Sequence, residues 1–295
     1  MAEDLYISGN ILLAELDMMW TFQPNDESTL QLLAKLEYSG PTEISAFYQL
    51  NRSSVVVADE QYDCLMLFNR DLNKFSHYSG ICEKRLSRVL TNGDKDKAQF
   101  STIADIIRGE GDDYSQKLIV ADFGNKAVRH VDLVTQAVGT IYQDDDLGEC
   151  SSLCWEADSN SILVGSYLNV KRLSIGGDTS VTVLAGNDEE STRDGMFTDA
   201  SFLKIRRIIH ILDDLYVITT DFGTRVANTT SEMVYSICKH NDQQTIIEGN
   251  ATECETRGSQ AITFYNGYLY FGVHGPYWAV GRIPGKIGKC YSYSR

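Results

Sequence analysis

Proline is scarce in this sequence, with four in 295 residues. Chain reversals must therefore depend on Gly, Asn and Asp, which tolerate positive φ or bond their own backbone. Long apolar runs are missing too. None approaches 18 residues, so no helical membrane span is expected. Basic residues are outnumbered, 26 Lys and Arg against 41 Asp and Glu, for a net charge of −15. Such a charge repels phosphate backbones. The clearest basic cluster (Lys84, Arg85, Arg88, Lys95 and Lys97) is interleaved with Glu83, Asp94 and Asp96. Nucleic-acid binding is not expected. Histidine is limited to His77, His130, His210, His240 and His274, with no two at zinc-ligand spacing. Helical periodicity is confined to residues 31–36, too short a stretch to define a helix.

What the chain does contain is a recurring pattern: a short apolar strand ending on a small residue, a polar turn, and a second strand. The anchors are Tyr6-Ile7-Ser8, Val56-Val57-Ala58, Ile119-Val120-Ala121, Leu163-Val164-Gly165, Val217-Ile218-Thr219 and Tyr270-Phe271-Gly272. Their spacings of 50, 63, 44, 54 and 53 residues match the period of a β-propeller. The expected fold is all-β: one domain over residues 1–295, built of six four-stranded antiparallel blades, the first of them incomplete. Each anchor is strand b. Strand a precedes it across a tight turn such as Asn51-Arg52-Ser53 or Asn266-Gly267, both hairpin signals. Strand c is expected at residues 65–68, 128–133, 171–175, 233–237 and 280–283. Strand d is expected at residues 30–34, 75–78, 138–142, 181–185 and 245–247.

The run from Leu118 to Val128, with its apolar strand, Ala121-Asp122 and Asn125-Lys126, resembles the core of an NHL repeat. A second likeness lies in the connectors between blades. Ser79-Gly80 leads to Asn92-Gly93 and Ala98-Gln99-Phe100, while Ala185-Gly186 leads to Asp194-Gly195 and Ala200-Ser201-Phe202, with Ala98 and Ala200 102 residues apart. The family's basic residue after Asn-x is replaced by Ala127, although Lys171 keeps a cation in the next repeat. The Ala-Asp pair recurs only at Ala58-Asp59. The resemblance implies a six-bladed propeller whose function resides in the loops of one face. It also admits divalent-metal enzymes of lyase or lactonase type, the alternative to a binding scaffold, and RNA-binding relatives, which the charge argues against.

Seven cysteines and three sequons (Asn51, Asn228 and Asn250) point together to an oxidising, secreted and glycosylated setting. Local pairing predicts Cys64–Cys82, Cys150–Cys154 and Cys238–Cys254, with Cys290 left over. Met1-Ala2-Glu3-Asp4 shows no secretory leader, and the first anchor lacks a preceding strand. A truncated or processed N-terminus accounts for both gaps, whereas a cytosolic location accounts for one.

Two Asp-Phe-Gly triplets, at Asp122 and Asp221, fall at one point of the repeat and read as b-to-c turns, since no phosphate-binding or catalytic loop accompanies them. No catalytic set assembles. No cofactor is expected, calcium being the one candidate because acidic runs occur at Asp112-Asp113, Asp144-Asp145-Asp146, Asp188-Glu189-Glu190 and Asp213-Asp214 without any specific loop spacing. The b-to-c turns and the d-to-a connectors should share a face carrying Tyr62, Phe123, Tyr167, Phe222, His274, Tyr277 and Trp278. The expected function is a non-enzymatic recognition or adhesion scaffold. Its protein partner would be basic, or bridged by cations, and would dock chiefly on Tyr277, Trp278, His274, Tyr62 and Tyr167.

Overall fold

The computed structural model describes residues 2–4, 10–15, 18–23, 26–35, 44–83, 89–156, 159–212, 214–240, 249–250, 255–256, 259–265, 268–273, 279–284 and 289–294. The chain divides into two compact units, residues 2–150 and 151–295. The first holds three antiparallel sheets, each a meander in sequence order. They are β1 (Ala2–Asp4), β2 (Asn10–Glu15), β3 (Met18–Gln23) and β4 (Asp26–Lys35); β5 (Ile44–Asn51), β6 (Ser54–Asp59), β7 (Cys64–Asn69) and β8 (Lys74–Ser79); and β9 (Ile103–Arg108), β10 (Lys117–Asp122), β11 (Ala127–Asp132) and β12 (Val138–Gln143). A one-turn helix, α1 (Gly111–Tyr114), fills the β9–β10 connection.

The second unit opens on a four-stranded meander of β13 (Ser152–Trp155), β14 (Ser161–Gly165), β15 (Val170–Ser174) and β16 (Ser180–Ala185). Then come β17 (Gly195–Met196), β18 (Ile205–Leu212), β19 (Leu215–Thr220), β20 (Gly223–Asn228) and β21 (Met233–His240), in the spatial order β17-β21-β20-β19-β18. Among the remaining strands, β22 (Gly249–Asn250) pairs with the last strand of the final meander, and β23 (Glu255–Thr256) adds in parallel to β21. That meander is β24 (Ser259–Tyr265), β25 (Tyr268–Val273), β26 (Ala279–Pro284) and β27 (Lys289–Ser294).

Burial explains why the anchors were visible. β6, β10 and β19 are buried at every residue after the first, and β14 throughout, because both sheet faces pack against other sheets. Each fully buried Val or Ile contributes about 1.5–3 kcal/mol by leaving water. The outer strands β8 and β16 are exposed or half-buried over most of their length and buried only at their ends, as a sheet margin should be. Inside the first unit β5 packs against β9, and inside the second β18 packs against both β13 and β24, so within each unit first strands meet first strands.

Two expectations need correction. The third strand of the β18–β21 sheet is β20, not residues 233–237, which form the fourth strand. The reason is the tightness of the Asp221-Phe222 reversal. It leaves Gly223-Thr224-Arg225-Val226 in the ladder, although Gly223 reads in the sequence as part of the b-to-c turn. The first sheet is not incomplete but has four strands in residues 2–35, with β1, β2 and β3 unread from sequence and β1 standing where no strand was expected. The anchor at residues 6–8 and the strand at residues 245–247 lie outside the described residues.

A regularity invisible in sequence marks the third and fourth strands of four sheets. The register slips between Leu65 and Met66, Val128 and Arg129, Val170 and Lys171, and Thr224 and Arg225. Each slip leaves one extra residue in the outer strand, a β-bulge that re-aims the inner side chain beside it. Met66, Arg129, Lys171 and Arg225 therefore occupy one structural position.

Candidate recognition surface

Antiparallel meanders place a-to-b and c-to-d turns at one end of each sheet and b-to-c turns at the other. Backbone bonds join the first kind: Arg70 N–H donates to Ser53 O, Leu133 N–H to Gln116 O, Ile175 N–H to Asn160 O and Thr229 N–H to Asp214 O. The sequons Asn51 and Asn228 lie at this end. The Asn51 carboxamide accepts from Ser53 N–H and that of Asn228 accepts from Ser231 N–H.

The opposite ends carry the candidate surface. In the first unit the backbone of Thr102 clasps two turns: its N–H donates to the Asp63 carboxylate at 2.6 Å, and its carbonyl accepts from Phe123 N–H at 3.0 Å. In the second unit Lys204 repeats this. Its N–H donates to Tyr167 O at 2.8 Å and its carbonyl accepts from Asp221 N–H at 3.3 Å. Thr102 and Lys204 both sit in the left-handed region, at φ 55° and 54°. They are 102 residues apart, the same interval as Ala98 and Ala200, so the repeat could have flagged them.

The two clasps present different chemistry. Tyr62 and Phe123 are half-buried, whereas Tyr167 and Phe222 are 41% and 38% exposed. Between those two aromatics Arg206 makes a bidentate pair with Asp221 (2.6 and 2.9 Å), and Lys204 Nζ lies 3.5 Å from the same carboxylate. These cations hold the Asp221 carboxyl below its usual range against the opposing pull of burial. Nearby, Asn169 donates to the Asp188 carboxylate. Sequence reading had named Tyr62 and Tyr167 but missed Lys204, Arg206 and Asp221. His274, Tyr277 and Trp278 lie outside the described residues.

Beneath the surface the connectors are anchored by arginine. The Arg129–Asp122 pair is wholly buried at 2.7 Å. Arg129 also donates to the carbonyls of Gln99 and Thr91 and to Asn92, and lies over the Phe100 ring. Asp122 additionally accepts from Ser101 N–H and Asn125. Burial raises the Asp122 carboxyl and lowers the Arg129 guanidinium, each opposed by the partner's charge. Arg225 repeats the arrangement: it donates to the carbonyls of Arg193 and Ser201, pairs with Asp194 at 3.2 Å and lies over Phe202. The Asn-Gly and Asp-Gly steps of the connectors are thus the partners of these cations. The basic residue of this sheet stands two positions beyond Ala127, at Arg129.

The Cys64–Cys82 disulfide is present, with Cα atoms 5.1 Å apart, and fastens the start of β7 to the connector after β8. The pairing of Cys150 with Cys154 is not. Both are buried thiols, Cys154 within β13. Four steps of near-extended chain span about 13 Å, beyond the roughly 7 Å that a disulfide bridges. Cys254 and the side chains of Cys238 and Cys290 lie outside the described residues. The β21–β23 register, Lys239 opposite Glu255, is one step along from positions 238 and 254. Burial pushes the Cys150 thiol well up. Alkylation followed by peptide mass mapping should therefore find Cys150 unmodified in the native protein and modified after unfolding, with Cys64 and Cys82 joined in both. Rapid native labelling of Cys150 would contradict its burial.

The acidic runs Asp112-Asp113, Asp144-Asp145-Asp146 and Asp188-Glu189-Glu190 are exposed. Lys126 pairs with Asp145. His77, His130 and His210 stand on β8, β11 and β18, in three different sheets. Among the described residues no three of His, Cys, Asp or Glu cluster as metal ligands, and no helix is long and apolar enough to cross a membrane.

No protein-family model matches the sequence, and no curated protein matches it. Solved structures do match. A chain of the nidogen/laminin complex superposes with a TM-score of 0.63 at 7% identity, covering 97% of this chain and 93% of that one. A protein of unknown function from Bacteroides thetaiotaomicron gives 0.64 at 11% identity, covering 95% and 70%. An auxiliary nutrient binding protein from the same bacterium gives 0.66 at 10% identity, covering 92% and 65%. At such identities the likeness carries the fold alone. By fold, this chain is a β-propeller protein.

Proposed function

We propose that the chain is a single six-bladed, NHL-like β-propeller acting as an extracellular recognition or adhesion scaffold. A protein partner docks on the face formed by the b-to-c turns and the blade connectors. The observation that carries this reading is the pair of backbone clasps at Thr102 and Lys204. They tie adjacent turns into a rigid surface and leave Tyr167 and Phe222 exposed around a charged cluster. Aromatics beside Arg have the composition of binding hot spots, with apolar area and a polar handle held at low entropy cost. The sequons at Asn51 and Asn228 occupy the other ends of their sheets, so glycans there would leave this face clear. The Cys64–Cys82 disulfide favours an oxidising compartment. The nidogen/laminin and nutrient-binding likenesses are in keeping with a binding role. A net charge of −15 with exposed acidic connectors favours a basic or cation-bridged partner.

The test begins with a display screen of secreted proteins against the purified chain, followed by biolayer interferometry on the hit. Tyr167→Ala with Phe222→Ala should weaken binding by about 10²–10³-fold, two hot-spot losses, with the melting temperature unchanged. Tyr277→Ala with Trp278→Ala, between β25 and β26 in the sequence, should act in the same direction. Full affinity in both double variants would remove this face from consideration.

A further inference from the structure

The turns after β6 and β10 are the same length and correspond residue for residue by ladder register. Asp59 pairs across the ladder with Cys64 as Asp122 does with Ala127. Asp59 therefore corresponds to Asp122, Gln61 to Gly124, Tyr62 to Asn125, Asp63 to Lys126 and Met66 to Arg129. Asp63 and Lys126 even share the left-handed conformation, at φ 51° and 50°.

The substitutions all run one way. Asp122 Oδ2 is satisfied by Arg129 and Asn125. At Asp59 the guanidinium has become a buried methionine, the carboxamide a tyrosine and the nearby ammonium a second carboxylate. Asp59 is 1% exposed. Its Oδ1 caps the turn by accepting from the N–H groups of Gln61 and Tyr62, yet its Oδ2 is buried without any hydrogen-bond partner among the described residues. Gln61 Oε1, in the same turn, is likewise buried without a donor among the described residues. Asp63 is close enough for its charge to bear on Asp59. A buried carboxylate oxygen lacking partner and counter-charge costs several kcal/mol. The deficit here is specifically of positive charge and of donors.

We propose that this turn binds a divalent cation, calcium by preference, with Asp59 Oδ2, Gln61 Oε1 and the Asp63 carboxylate as protein ligands. The donors are all hard oxygens on alternate residues of a tight turn, the ligand class that calcium takes, with backbone carbonyls and water completing its six to eight contacts. The cation does at Asp59 what Arg129 does at Asp122. This inference stands on the comparison of the two turns and does not depend on the recognition reading.

The test uses the full chain, dialysed against EDTA and then titrated with calcium chloride while the melting temperature is recorded. Terbium luminescence sensitised by Tyr62 gives a second readout. Calcium at a hundredfold excess over its Kd should raise the melting temperature by about 5 °C. Asp59→Asn, which removes the charge and one of the ligand oxygens, should remove both the shift and the terbium signal. Met66→Arg, which rebuilds the guanidinium of the neighbouring sheet, should do the same and serves if the first variant does not fold. No calcium response in the parent chain would overturn the proposal. An undiminished response in both variants would also overturn it, because the ion would then sit on the exposed acidic connectors.

Discussion

Arg129→Met is expected to lower the free energy of unfolding by about 3–5 kcal/mol, read from equilibrium urea unfolding. The substitution leaves the buried Asp122 carboxyl without its counter-charge, and it strands the carbonyls of Gln99 and Thr91. Two comparisons give the expectation its edge. Arg225→Met removes the equivalent side chain, but its acidic partner Asp194 is nearly half exposed and can be rehydrated. Its loss should be clearly smaller, of the order of an ordinary set of hydrogen bonds, about 1–3 kcal/mol. The double variant Asp122→Asn with Arg129→Met should recover part of the loss, since the buried charge is gone. Equal costs for Arg129→Met and Arg225→Met would mean that ring stacking and carbonyl bonds, common to both, dominate over the buried charge.

Removing the Cys64–Cys82 disulfide by serine substitution at both positions is the second large effect, about 3 kcal/mol for a closed loop of this length. The bridge spans 18 residues and joins the first residue of β7 to the connector that goes on to meet Arg129. Its loss should destabilise the residue 2–150 unit in particular. Hydrogen exchange would show faster opening in β7, β8 and the connector than in β14 or β19. Uniform acceleration across the chain would instead mark one cooperative structure in which this bridge has no local role.

The strands were readable for a simple reason. A second strand buried on both faces must be apolar at nearly every position, and Val55 to Ala58, Leu118 to Ala121 and Val217-Ile218 are. Where that logic failed, the local residues were ambiguous. β20 begins Gly-Thr-Arg, a sequence that loops also use, and only its ladder with β19 and β21 makes it a strand. The connectors showed their repeat as Asn-Gly or Asp-Gly followed by Ala-x-Phe, but not their purpose. Phe100 and Phe202 turn out to lie under Arg129 and Arg225, whose register depends on a bulge in the adjoining strand. The candidate surface was half legible. Its aromatic members stand out by residue type, while Lys204, Arg206 and Asp221 look like any scattered surface charges until the clasp brings them together. The Cys150–Cys154 expectation failed because proximity along a chain is not proximity in an extended strand.

The sequence alone determined that this is an antiparallel strand repeat of roughly fifty residues with acidic connectors, because alternation, turn chemistry and net charge are properties of neighbours along the chain. The tertiary structure decided which polar groups meet: Asp122 with Arg129, Arg206 with Asp221, and Asp59 with no donor among the described residues for one of its oxygens. Those outcomes depend on ladder register and on one-residue bulges, and a shift of a single position there sends a side chain to the opposite face of the sheet.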